Sequence, residues 1–148
     1  EEVRQAFLHA WRGYRKHAWG RDELTPLSHS GKDTFGGIGA TIIDSLTTLW
    51  LMGFTDEFEQ AADFVRDELD FDQADTEVSV FELVIRGVGG LLGAHALSGR
   101  QVFVDRAREL ADRLLPAFNT SSRLPLPKWN IALGKGVVPS GEPTILSE

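Results

Sequence analysis

Apolar residues recur along this chain at helical spacing, but the segments they build are of two kinds. Residues 2–17, EVRQAFLHAWRGYRKH, set Val3, Phe7, Ala10, Trp11 and Tyr14 on one stripe and charges elsewhere, which predicts a half-exposed helix. Residues 38–52, IGATIIDSLTTLWLM, are apolar with one charge, Asp44. Residues 55–69, TDEFEQAADFVRDEL, are amphipathic, with Thr55 placed to cap them and acids in the first turn. Residues 78–97 are apolar on nearly every side, yet Glu82 and Arg86 stand in their midst one turn apart. Residues 100–115, RQVFVDRARELADRLL, are amphipathic again. Turn-forming residues fill 19–37, and a long irregular stretch runs from Pro116 to about Pro143. TILSE, 144–148, reads as the start of another apolar helix. Strand signals are weak, and VSVF, 78–81, reads as the first turn of a helix.

Helices therefore alternate between half-exposed and apolar. A helix apolar all round is enclosed on all sides, so the alternation describes an inner layer wrapped by an outer one. The predicted fold is all-α, an α/α barrel or toroid, with an α-solenoid of hairpins as the alternative. Helices near 38–52 and 78–97 should be more buried than those near 2–17, 55–69 and 100–115. Gly87, Gly90 and Ala94 should let helices approach closely, and Gly89, Gly90 and Gly93 should leave open space beside the charges.

The chain has 148 residues, enough for one domain with a core. A net charge of −7 argues against general nucleic-acid binding. No run approaches transmembrane length and no signal peptide opens the chain. There is no cysteine, which excludes disulfides and thiolate metal sites within this stretch. His9, His17, His29 and His95 show no metal-ligand spacing. Asn119-Thr120-Ser121 forms an N-glycosylation sequon in a polar loop, a pattern that also arises by chance.

Each apolar segment carries one lone acid: Asp44, Glu82, and Glu148 in the last. An acid against a packed core would cost several kcal/mol, whereas one facing a hollow can meet water or a ligand. Glu82 and Arg86 share a face at i, i+4. Asp44 shares a stripe with Thr41 and Thr48. Carboxylates converging on a cavity suit glycoside hydrolysis, a metal or a sugar pocket. They equally suit a structural ion pair, and spacing alone leaves these readings open.

Three stretches carry a resemblance: FLHAWRGYRKHAWGRDELTPLS, DTFGGIGATIIDSLTTLWLMG and VSVFELVIRGVGGLLGAHALSG. Together with ADRLLPAFNT and the terminal TILSE, they resemble the class I α-1,2-mannosidases, glycoside hydrolase family 47. The resemblance implies an (αα)7 barrel, of which residues 1–148 would supply about the first two and a half helix pairs. It implies trimming of α-1,2-linked mannose from high-mannose N-glycans, with inversion and a bound Ca2+. The family's VSxFE glutamate, an acid catalyst, matches Glu82. The arginine one turn later, in the sugar-binding cavity, matches Arg86. The DSLxTL aspartate matches Asp44, and the glutamate of the ILAE-type motif matches Glu148. Two departures stand out: Thr47 replaces a usual aspartate, and RLPLPKWN replaces a common IPY or IPW pattern.

The resemblance also implies what residues 1–148 lack. The family's general base, remaining acids, calcium-binding threonine and disulfide would all lie beyond Glu148. Residues 1–148 are thus expected to be the N-terminal portion of a catalytic domain, inactive alone. The expected setting is the secretory pathway, in the endoplasmic reticulum or Golgi lumen or outside the cell, with any membrane anchor outside this chain. Two alternatives stand beside the enzyme: a mannose-recognising factor of glycoprotein quality control, and a non-catalytic helical scaffold.

Overall fold

The computed structural model describes residues 1–137. Five helices carry most of them: α1 (Glu2–His17), α2 (Ala40–Leu51), α3 (Thr55–Asp67), α4 (Val80–Ser98) and α5 (Gln101–Leu114). Strands β1 (Glu23–Thr25) and β2 (Ser30–Lys32) form a hairpin between α1 and α2. A second antiparallel sheet joins β3 (Glu77–Ser79), β4 (Lys128–Asn130) and β5 (Lys135–Val137), with β4 in the centre. Among the described residues, the helical segments foreseen from periodicity are present. TILSE, with Glu148, lies outside the described residues.

The sheets correct the reading of VSVF as helix. Val78 pairs with Trp129 and Ser79 with Lys128, and the helix begins only at Val80. A three-residue strand has no period of its own, so pairing 50 residues away decided its state. Much of the stretch after Pro116 is likewise ordered, through a 3-10 turn at Leu115–Phe118 and then β4 and β5. Thr55 is the first helical residue of α3, with Phe54 at the cap position and no side-chain cap bond.

The apolar helices α2 and α4 lie side by side, α3 packs on α2, and α5 packs on both α4 and α3. Phe58 of α3 and Phe103 of α5 meet at a centroid distance of 5.9 Å, both fully buried. α1 joins through aromatics: Phe7 stacks on Phe54 at 5.8 Å, and Trp11 meets Trp19, which lies edge-on to Phe64. α4 approaches its neighbours through glycine. A Cβ at Gly87 would stand 2.6 Å from Leu110 on α5, and one at Gly90 3.1 Å from Ile43 on α2. Close packing is thus as foreseen. The open space expected at Gly90 and Gly93 is not there, because Ile43 and Thr47 fill it.

The expected difference in burial is also absent. α1 buries only Trp11 and Tyr14, but α3 buries Phe58, Ala61, Ala62, Phe64 and Val65. α4 leaves Phe81, Val84, Ile85, Leu92 and Leu97 exposed, between 37% and 49%. Charge placement separated the two kinds of helix correctly. Burial did not follow because, among the described residues, nothing covers this flank of α4. α4 further corrects the membrane-length reading: its 19 residues reach a mean hydropathy of 1.4, enough by length and composition alone to cross a bilayer. Its other flank packs on α2 and α5 as a core helix does.

Candidate functional site

The site is built where α4 begins beside α2. The β3–β4 ladder fixes the entry to α4, and the Val80 N–H donates to the Pro127 carbonyl at 3.0 Å. Ser79 then caps the helix, its hydroxyl accepting the Glu82 N–H at 3.3 Å. Ser79 and Glu82 have capping-box spacing, but the Glu82 carboxylate turns forward to Arg86 instead of back to Ser79. Residues Leu83–Val88 wind as a π-helix, an interruption frequent at functional sites. Arg86 stands within it.

Arg86 gathers the acids of two helices. Its Nη2 and Nε donate to Asp44 Oδ2 at 2.6 and 2.9 Å, and its Nη1 to Glu82 Oε2 at 3.4 Å. The guanidinium also lies over the Phe35 ring, 4.3 Å from the centroid. The hydrogen bonds that Arg86 donates to the Asp44 carboxylate are the main cause that raises the Arg86 pKa above its ordinary value. All three charged side chains are about one-third exposed. At that exposure such pairs contribute only ~0–1 kcal/mol to stability. The cluster is therefore poorly explained as a stabilising device, and it lines a small recess with Phe35, Ile38, Ile43 and Gly87. The arrangement offers two carboxylates and a fixed cation to a hydroxyl-rich ligand.

Asp44, Glu82 and Arg86 are thus brought together from adjacent helices, as the spacing suggested. Thr41 is not with them: its hydroxyl donates to the Asp22 carbonyl at 2.6 Å. Glu148 lies outside the described residues. Among the described residues no group of three or more His, Cys, Asp or Glu side chains could hold a metal. The two acids of the recess are both engaged by Arg86, so the described residues do not fit a calcium ion. His17 and His29 stack at 4.8 Å, and His95 Nδ1 contacts the Arg100 carbonyl at 3.0 Å.

Two residues that position the site escaped the sequence reading. Asp22 is fully buried. Its carboxylate accepts N–H groups from Phe35 at 2.6 Å, Gly37 at 2.8 Å and Ala40 at 3.1 Å. Ala40 opens α2, and Gly39 before it has no side chain to cap with. Gly39 is needed there: its φ is +70° and a Cβ would stand 2.7 Å from Phe64. Asp22 thus caps α2 from a distance and holds the loop that presents Phe35 to Arg86. The available signal was the acidic pair in GRDEL ahead of DTFGGIGA, a glycine-rich loop whose free N–H groups need an acceptor.

Comparison with known proteins bears on the family and the fold. The chain is 48% identical over 140 residues to a mannosyl-oligosaccharide 1,2-alpha-mannosidase of Arabidopsis thaliana, covering 95% of this chain and 25% of that protein. It is 48% identical over 132 residues to the human endoplasmic reticulum mannosyl-oligosaccharide 1,2-alpha-mannosidase, covering 89% and 19%. The chain therefore spans a quarter or less of these relatives' length. The structure of an alpha-1,2-mannosidase from Trichoderma reesei superposes with a TM-score of 0.79 at 33% identity, over 86% of this chain and 29% of that one. The helices accordingly form part of an (αα)7 barrel. The family model of glycosyl hydrolase family 47 matches residues 6–148, and the chain belongs to that family.

Proposed function

We propose that residues 1–148 form the N-terminal portion of an α-1,2-mannosidase catalytic domain that trims high-mannose N-glycans of glycoproteins in the secretory pathway. The observation that carries this reading is the clamp of Arg86 on Asp44 and Glu82 at one recess. Glu82 is the proton donor. Its carboxyl gives a proton to the glycosidic oxygen as the bond from that oxygen to the mannose anomeric carbon breaks. Arg86 holds Glu82 and Asp44 in place and, with Asp44, offers hydrogen bonds to the sugar. Water attacks from the opposite face, activated by a base outside residues 1–137, and the anomeric configuration inverts. In inverting enzymes acid and base stand roughly 6.5–9.5 Å apart to admit that water. Calcium use is part of the proposal, with the ion held by residues other than those described.

The test uses a full-length polypeptide that contains residues 1–148. Glu82→Gln should lower mannose release from an α-1,2-linked high-mannose glycan by about 100-fold or more, the usual contribution of a positioned acid. Glycan affinity should stay within a few fold, because the amide keeps the shape. Unchanged turnover in that variant would remove Glu82 from the role. Strong binding without turnover in the unsubstituted polypeptide would favour a recognition factor.

A further inference from the structure

We propose that Asn119 carries an N-linked glycan. The inference rests on the secretory setting proposed above, and it concerns a part of the chain that the Arg86 recess does not use. Asn119-Thr120-Ser121 is the sole sequon in the chain. The structure places it directly after the 3-10 turn Leu115–Phe118, in the loop between α5 and β4. Asn119 and Ser121 are exposed. Among the described residues, neither the Asn119 carboxamide nor the Ser121 hydroxyl is hydrogen-bonded to protein. The loop is instead anchored by its other groups. The Asn119 N–H donates to the Pro116 carbonyl at 3.1 Å, and the Thr120 hydroxyl to the Leu124 carbonyl at 2.7 Å. The acceptor amide and the third-position hydroxyl, the two groups a transferase reads, are thus the free ones.

The surroundings favour a covered surface. Leu115, Phe118 and Leu124 flank the asparagine and are exposed at 63%, 39% and 48%. The apolar faces of the first sugars can lie over such side chains, and the polar faces then meet water. The donor is an oligosaccharide linked to a lipid diphosphate. A bond forms between Asn119 Nδ2 and the anomeric carbon of the first sugar. The bond from that carbon to the diphosphate oxygen breaks, the lipid diphosphate leaves, and the amide gives up one proton.

The chain, given a cleavable secretion signal, is expressed in eukaryotic cells beside a reporter glycoprotein. An amidase that removes N-glycans should convert Asn119 to aspartate, as read by mass spectrometry. It should do so without prior denaturation. Asn119→Gln and Ser121→Ala should abolish the glycoform, and Ser121→Thr should raise its occupancy, since neither neighbour is buried. An unmodified Asn119 beside a fully glycosylated reporter would overturn the proposal. Mannose release by a full-length polypeptide with bare Asn119 would sink this inference and leave the mannosidase reading standing.

Discussion

The buried Asp22 carboxylate accepts the backbone N–H of Phe35 at 2.6 Å. Through that bond, and through the N–H groups of Gly37 and Ala40, it sets the loop whose aromatic ring lies over Arg86. Asp22→Ala should destabilise the chain by about 3 kcal/mol, because three backbone donors, one buried and two part-buried, lose a charged acceptor. Asp22→Asn should cost less, since its single carbonyl oxygen still serves part of the loop. Urea unfolding of the three proteins checks the order, and equal stability of all three would show the loop to be held otherwise.

Arg86→Lys separates geometry from charge. A lysine keeps the positive charge but cannot bridge Asp44 and Glu82 with fixed parallel donors, nor lie flat on Phe35. Stability should change by less than about 1 kcal/mol, because the pairs are partly exposed. In a full-length polypeptide, affinity for α-1,2-mannobiose should fall about tenfold, equivalent to ~1.4 kcal/mol. Calorimetry reads both effects, and a large stability loss with unchanged affinity would make the cluster structural.

Gly90→Ala tests the approach of α4 to α2. The added methyl would meet Ile43 Cγ2 at 3.1 Å and the Ile43 carbonyl oxygen at 3.3 Å. Backbone cannot swing aside as a side-chain end can. A crowding cost of about 1–3 kcal/mol should outweigh the ~1 kcal/mol that alanine gains over glycine in a helix. Thermal unfolding should show net loss, and a gain would mean that the helices can part without strain.

How far the chain was legible follows from what each residue interacts with. Glu82 and Arg86 were visible because a helix puts i and i+4 on one face, and Asp44 because it was alone in an apolar segment. Asp22 was hidden because its partners are backbone N–H groups, which leave no trace in residue identity. β3 was hidden because its partner strand lies 50 residues away. The exposed flank of α4 was hidden for a different reason: periodicity reports what a helix could bury, not whether a neighbour is present to cover it.

Tyr14 gives a pH-dependent signature. Its hydroxyl donates to the Arg21 carbonyl at 2.6 Å. Burial, and then the charge of Asp22, push its pKa well above the ordinary 10.0. Above pH 10 the unfolded chain releases this proton while the folded chain retains it, so stability falls as pH rises; below that the contribution is complete. Tyr14→Phe should cost about 1 kcal/mol at neutral pH, from the lost hydrogen bond, and should flatten the alkaline decline. Tyr14 is the only tyrosine, so ultraviolet absorbance titrates it alone. Ionisation near pH 10 in the folded chain would contradict the burial argument.

The π-helical turn at Leu83–Val88 acts as a phase adjuster within α4. An α-helix advances about 100° per residue, so one residue accommodated in a wider turn rotates all that follows by roughly that angle. The two ends of α4 are clocked independently, one by the strand ladder at Ser79 and the other by the glycine seam against Ile43 and Thr47. A uniform helix with the same number of residues could satisfy only one of these clocks. Deleting Val84 should therefore remove the surplus residue and leave a regular α-helix in which Glu82 and Gly90 both keep their partners, whereas an added residue beyond the turn would swing one of them away.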